Sequence, residues 1–217
     1  MDAHTVFDWS RKARTGVPEV VFAEGKSVGQ VQDILAAHVA RNEPLLITRL
    51  TEMQVRSFAA VEIEHLTVDP QARVAIYRGP ILSADAPETV VLAAGTSDLP
   101  VALEAAHSAR FLGLRTELIA DVGVAGLWRL EAHLADLVSH RVVIAVAGME
   151  GALFSALAGL LPGAVIAVPS SVGYGVSAGG KAALSSALAA CAPGVLTVNI
   201  DNGFGAAAAA AKLLAFR

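Results

Sequence analysis

Cys191 is the only cysteine in 217 residues. A single thiol excludes a disulfide framework within the chain and a zinc centre built from cysteines. Aromatic residues are scarce as well, at 5%, and charged residues reach only 17%. Lysine and arginine form no run beyond "RKAR" at Arg11 to Arg14, and the net charge is −4. A nucleic-acid partner would need a basic stripe, so none is expected. The six histidines are scattered without the spacing of metal ligands. The opening "MDAHTVFDWSRKARTG" lacks the apolar core of a secretion signal, which makes the cytoplasm the expected location.

What is present is aliphatic. Hydrophobic residues make up 54%, and the mean hydropathy is +0.57. Such a composition suits a tight α/β core and broad contacts between subunits, so a homo-oligomer is expected. The uncharged "GALFSALAGLLPGAVIAV" at 151–168 is long enough to cross a bilayer. Pro162-Gly163 cuts it, however, and the Val/Ile-rich part beyond has strand chemistry. It reads as a buried helix followed by a buried strand, with no membrane partner.

The chain divides near "GPILSADAP", where Gly, Pro and small polar residues cluster. Residues 1–80 read as a small α/β domain. Its clearest element is a helix in "SVGQVQDILAAHVARN", capped by Ser27, with Val28, Val31, Ile34 and Leu35 on one face. Residues 88–217 alternate apolar runs with helix-length segments: "TVVLAA", "TELIAD", "RVVIAVAG", "AVIAVP" and "GVLTVNI". Continuous apolar runs mark strands buried on both faces, and the alternation marks a doubly wound parallel sheet.

Ligands of such sheets bind beyond the carboxyl ends of the strands. Those ends read "AGTSDLP", "DVGVAG", "AGMEG", "PSSVGYG" and "DNGFG". Small residues there let a ligand approach the backbone, and each turn adds polar groups. The candidates for contact are Thr96, Ser97, Asp98, Asp121, Ser170, Ser171, Gly173, Tyr174, Asp201 and Asn202. Thr96, Ser97 and Asp98 precede a helix, so they serve either as its cap or as a phosphate cradle built on the same amides. Glu150, flanked by glycines, either complements a helix dipole or transfers protons at the rim. Cys191 is either a small core filler or a nucleophile. It ends a helix, on the edge opposite the turns, and could reach a ligand only on a neighbouring subunit or by bending toward the rim. Lys181 reads as a solvated cation.

The ordered set "AGTSDLPVALEAAHSARFLG", "DVGVAGLWRL", "VAGMEGALFSALAGL", "VIAVPSSVGYG" and "VNIDNGFGA" resembles the LarB family of nickel-pincer cofactor synthesis. "GVPEVVFAEGKS" and "LLITR" resemble that family's N-terminal domain, so the likeness spans nearly the whole chain. The second region is also similar to PurE, the octameric aminoimidazole ribonucleotide carboxylase/mutase.

The resemblance implies carboxylation of nicotinic acid adenine dinucleotide by CO2 or bicarbonate, then cleavage of its diphosphate to AMP and pyridinium-3,5-biscarboxylic acid mononucleotide. It implies Cys191 as the nucleophile, Glu150 as the active-site carboxylate, and Ser97 and Asp98 in the phosphate turn. Lys26, Arg49 and Asp201 become contacts for the adenylate end, the diphosphate or a divalent ion, with magnesium the expected one. An octamer follows from the likeness to PurE. The chain departs from the family at Trp128, where a histidine is common, and in the apolar "LAAC". Two other readings compete: a true aminoimidazole ribonucleotide carboxylase or mutase, and a nucleotide-binding module without catalysis.

Overall fold

The computed structural model of the chain describes residues 6–215, in two units, Met1–Ile81 and Leu82–Arg217. In the first, α1 (Arg11–Thr15) precedes β1 (Val21–Phe22), α2 (Val28–Arg41), β2 (Leu45–Thr48), α3 (Glu52–Ala59), β3 (Leu66–Asp69) and β4 (Val74–Tyr77). Both longer helices start where their sequence dictates. Ser27 Oγ accepts from Gln30 N while Gln30 Oε1 accepts from Ser27 N, and Thr51 with Gln54 repeats the arrangement at α3. Each pair satisfies two amides that a helix start leaves bare. Val31, Ile34 and Leu35 are buried against Leu45, Ile47 and Phe58. The sheet runs β1-β2-β4-β3, with β1 parallel to β2 and the remaining pairs antiparallel.

The second unit holds β5 (Glu88–Ala93), α4 (Leu99–Phe111), β6 (Arg115–Ile119), α5 (Leu127–Glu131), α6 (Leu134–Leu137) and β7 (Val142–Ala147). It continues through α7 (Ala152–Leu160), β8 (Ala164–Pro169), α8 (Lys181–Leu188), β9 (Val195–Thr197) and α9 (Gly203–Ala215). All sheet pairings are parallel, in the order β6-β5-β7-β8-β9. Alanines of α4 and α9 cover one face, and leucines of α5 to α7 with Ala183 and Ala187 of α8 cover the other. This is the doubly wound α/β sheet expected from the alternation of runs. The supposed membrane span is α7 plus β8, and among the described residues no helix is long and apolar enough to cross a membrane.

One expectation fails here. The runs in β6 and β9 suggested burial on both faces, yet neither strand has a buried residue, and Leu196 is 45% exposed. The strand order puts both at the edges of the sheet, a position that an apolar run cannot reveal. In β5, β7 and β8 the residues from the second onward are nearly all fully buried. That stiff centre carries the turns described next.

Candidate functional site

The strand order reverses between β5 and β7: the chain leaves β5 toward β6, then crosses to the other side. In an open parallel sheet this switch point leaves a crevice beyond the carboxyl ends of the strands, where ligands settle. The turns after β5 and β7 therefore hold the central positions. They carry Thr96, Ser97 and Asp98 on one side and Glu150 on the other.

These turns are tied together through the backbone. A side chain at Gly123 would meet the Ala94 carbonyl oxygen at 2.7 Å, and one at Gly148 would meet that of Val172 at 2.2 Å. The rim is thus closed by glycines that allow turn to touch turn. Met149 N donates to Val172 O at 3.0 Å, and Met149 takes a left-handed φ of 50°. That conformation is costly for a side chain larger than Asn or Asp, and such strain gathers at functional turns. Asp121 and Asp201 are left-handed too. The Asp201 carboxylate accepts from Ser171 N at 2.7 Å, joining the turn after β8 to the segment before α9.

Asp98 faces inward. It is 5% exposed, its Oδ2 accepts from Gly95 N at 3.0 Å, and its Oδ1 is buried without a partner. Burial raises its pKa; the nearby Ser170 hydroxyl and Gly95 and Gly148 amides oppose the rise, and the Asp201 charge adds to it. Thr96 and Ser97, by contrast, are exposed, and neither hydroxyl caps the short 3-10 turn at Thr96–Asp98 or the helix after it. The capping role falls to Asp98 alone, leaving the two hydroxyls for another use. Capping does not account for all three residues.

Among the remaining candidates, Ser170 is fully buried and its Oγ accepts from Val172 N at 3.2 Å. Asn202 Oδ1 accepts from Gly205 N at 2.9 Å, and Glu104 Oε1 from Phe204 N at 3.0 Å, so both cap α9. Ser171 and Tyr174 are exposed at the rim, and Gly173 allows its turn to fold back onto Ser177 O. Glu150 is exposed just before α7. Lys181 is exposed, as a solvated cation should be. Lys26 and Arg49 belong to the first unit, at the carboxyl ends of β1 and β2; Gln54 Nε2 donates to Lys26 O at 2.8 Å, and Arg49 lies 3.8 Å from Glu24.

Sequence reasoning missed Arg129. Its Nη1 donates to Asp121 Oδ2 at 2.5 Å, which places a guanidinium beside the turn after β6. Gly126 makes room for it, since a Cβ there would lie 2.9 Å from Nε. An arginine in the first helix after β6 was the available signal. It adds a cation to the rim, paired with the Asp121 carboxylate.

Cys191 is exposed, which removes the core-filler reading. It lies between α8 and β9, before the strand begins, and so on the amino edge of the sheet. Within one subunit the thiol and the rim stand at opposite ends of parallel strands. Among the described residues no three acidic, His or Cys side chains gather as a metal site.

Comparison with known proteins gives a consistent picture. Residues 2–79 match the LarB/PurE-like N-terminal domain, and residues 88–217 match the AIR carboxylase domain. An uncharacterized protein of Methanocaldococcus jannaschii is 35% identical over 207 residues, covering 92% of this chain and 79% of its own. Among solved structures, a PurE2 variant of Treponema denticola is similar with a TM-score of 0.46 and 20% identity, over 59% of this chain and 88% of that one. PurE of the same organism gives 0.44 and 18%, over 58% and 88%.

Proposed function

Because this chain belongs to the LarB family, with that family's N-terminal domain followed by an AIR carboxylase domain, we propose that it is a cytoplasmic, homo-oligomeric enzyme that carboxylates nicotinic acid adenine dinucleotide and cleaves its diphosphate. A pyridinium ring is electron-poor and does not attack CO2. A thiolate adding at ring C4 removes the aromaticity and makes C5 an enamine-like nucleophile. C5 then forms its bond to CO2, a base takes the C5 proton, and the C–S bond breaks to restore the ring. Covalent catalysis of this kind divides one hard step into easier ones. Water attack on the diphosphate releases AMP and the dicarboxylated mononucleotide.

In this reading Cys191 is the thiolate and Glu150 the proton acceptor. Thr96, Ser97 and Arg129 hold the phosphates at the switch point. The observation that carries it is the exposure of Cys191, where a core role would have buried the thiol. Its position on the amino edge implies that the thiol serves the rim of a neighbouring subunit. Magnesium, if used, would come with the diphosphate, since this ion takes one or two carboxylates plus phosphate oxygens.

The AIR carboxylase match favours aminoimidazole ribonucleotide chemistry as a second reading. That reaction calls for an acid such as histidine at the rim, and the rim turns contain none. Incubating the purified protein with nicotinic acid adenine dinucleotide, bicarbonate and magnesium, and weighing the products, tests the proposal. AMP together with the dicarboxylated mononucleotide supports it; the absence of both rejects it.

A further inference from the structure

The chain has two tryptophans, and one of them, Trp128, is 71% exposed immediately beyond the turn after β6. An indole left in water forgoes a large hydrophobic gain, so its position calls for an occupant. Its neighbours fix its direction. Leu130 of the same helix is fully buried among the leucines under the sheet, while Arg129 reaches back to Asp121. At about 100° per residue, Trp128 stands roughly 200° around the helix from Leu130 and so away from the core.

Strand order supplies the second observation. The turns after β6 and β8 flank the central pair after β5 and β7. The flanking turn after β8 also presents an exposed ring, Tyr174, at 78%. Three strand spacings separate β6 from β8, about 14 Å in all. The turn after β5, with the exposed Thr96 and Ser97, lies between them in the strand order, and Arg129 follows Trp128 in α5. An anion cradle with a ring on each side fits a phosphate-linked ligand carrying flat groups.

We propose that Trp128 is the platform on which the rim seats a positively charged pyridinium ring. Tryptophan has the strongest attraction among the aromatics for a cation over its face, and the Arg129 guanidinium is held toward Asp121. The inference rests on reading the rim as a pyridinium-nucleotide site, and does not depend on carboxylation. It also explains why a large ring can occupy this position without a polar role: the indole contributes affinity and orientation, while proton transfer belongs to Glu150.

The test uses the full chain and nicotinic acid mononucleotide as probe, because a stacked pyridinium quenches indole fluorescence. Trp9→Phe leaves Trp128 as the only indole, and saturable quenching is expected. Trp128→Phe keeps Trp9, and no saturable quenching is expected. Trp128→Ala should weaken the mononucleotide about tenfold, the scale of a desolvated cation–π contact, and leave AMP affinity unchanged by calorimetry. Three results overturn the proposal: no saturable quenching of Trp128; an equal loss of AMP affinity in Trp128→Ala, which would make the ring adenine; or a smaller assembly for Trp128→Ala, which would make the indole a subunit contact. Quenching without turnover of the dinucleotide would defeat the proposed reaction and leave this inference standing. Turnover without quenching would do the reverse.

Discussion

Asp98 Oδ2 accepts a hydrogen bond from Gly95 N at 3.0 Å, three residues back on the same turn, while its other oxygen is buried with no partner. A carboxylate so placed is held at the floor of the rim and resists ionisation. Its pKa is raised above 3.8, mainly by burial. The folded state therefore holds this proton more firmly than the unfolded chain does. The contribution to stability is complete below pH 3.8 and is lost as pH rises through the folded value. Asp98→Asn keeps the acceptor for Gly95 and removes the charge. We expect its stability at pH 7 to match or exceed that of the native chain, within roughly 1 kcal/mol, with a flatter dependence on pH. Urea titrations from pH 4 to 8 check this, and a large loss at neutral pH would show that the ionised form is needed.

The glycines of the rim divide into those with no space and those with plenty. At Gly148 an added Cβ would lie 2.2 Å from a backbone oxygen of the neighbouring turn, which cannot swing away. Gly148→Ala should cost about 1–3 kcal/mol or more through overpacking. Gly159, within α7, meets nothing inside 4 Å. Gly159→Ala should stabilise by up to about 1 kcal/mol through helix propensity alone. Thermal melts of the two variants should move in opposite directions.

Much of this architecture was legible because local signals and global fold agree. Ser27 and Gln30 announce α2, and the apolar runs announce β5, β7 and β8. The turns could be located because each follows a run. What a turn residue does with its polar group was less readable, since that depends on partners distant in sequence. Asn202 is consumed in capping α9, and Ser170 is sealed under the rim. The edge status of β6 and β9 depended on strand order, which composition does not encode. Arg129 acquires its place by meeting Asp121, eight residues away across a turn that only folding closes.

In the first unit, His38 is 1% exposed, with Phe7 packed edge-on at 4.4 Å and Trp9 at 4.7 Å. Nδ1 donates to Ile34 O at 2.8 Å, so the buried Nε2, which has no partner, is the bare nitrogen. Burial lowers the pKa below 6.5, more than the nearby charges of Glu43 and Glu19 raise it; Arg41 lowers it further. The unfolded chain then binds the proton more readily, and stability rises with pH. It should be complete above pH 6.5 and decline as pH falls below that value. Denaturation monitored by Trp9 fluorescence in Trp128→Phe would register the decline. His38→Leu should abolish it, and a slope that persists in that variant would point to another group.

The placement of Cys191 and Glu150 at opposite edges of one sheet leads to a prediction about subunits rather than single sites. Cys191 is exposed, and exposed positions tolerate substitution within about 0.5 kcal/mol, so Cys191→Ser should fold and assemble normally while losing all carboxylation. Glu150→Gln, also exposed, should behave likewise. If the thiol serves the rim of a neighbour, the two dead variants complement each other once their subunits exchange. A mixed site is complete when its thiol comes from a Glu150→Gln subunit and its carboxylate from a Cys191→Ser subunit. Random mixing in equal amounts makes about a quarter of the sites whole in a closed symmetric assembly. Unfolding and refolding the two together, then assaying carboxylated product, gives the measurement. Recovery near that fraction requires sharing between protomers, whereas no recovery, with assembly intact, requires each chain to bring its own thiol to its own rim.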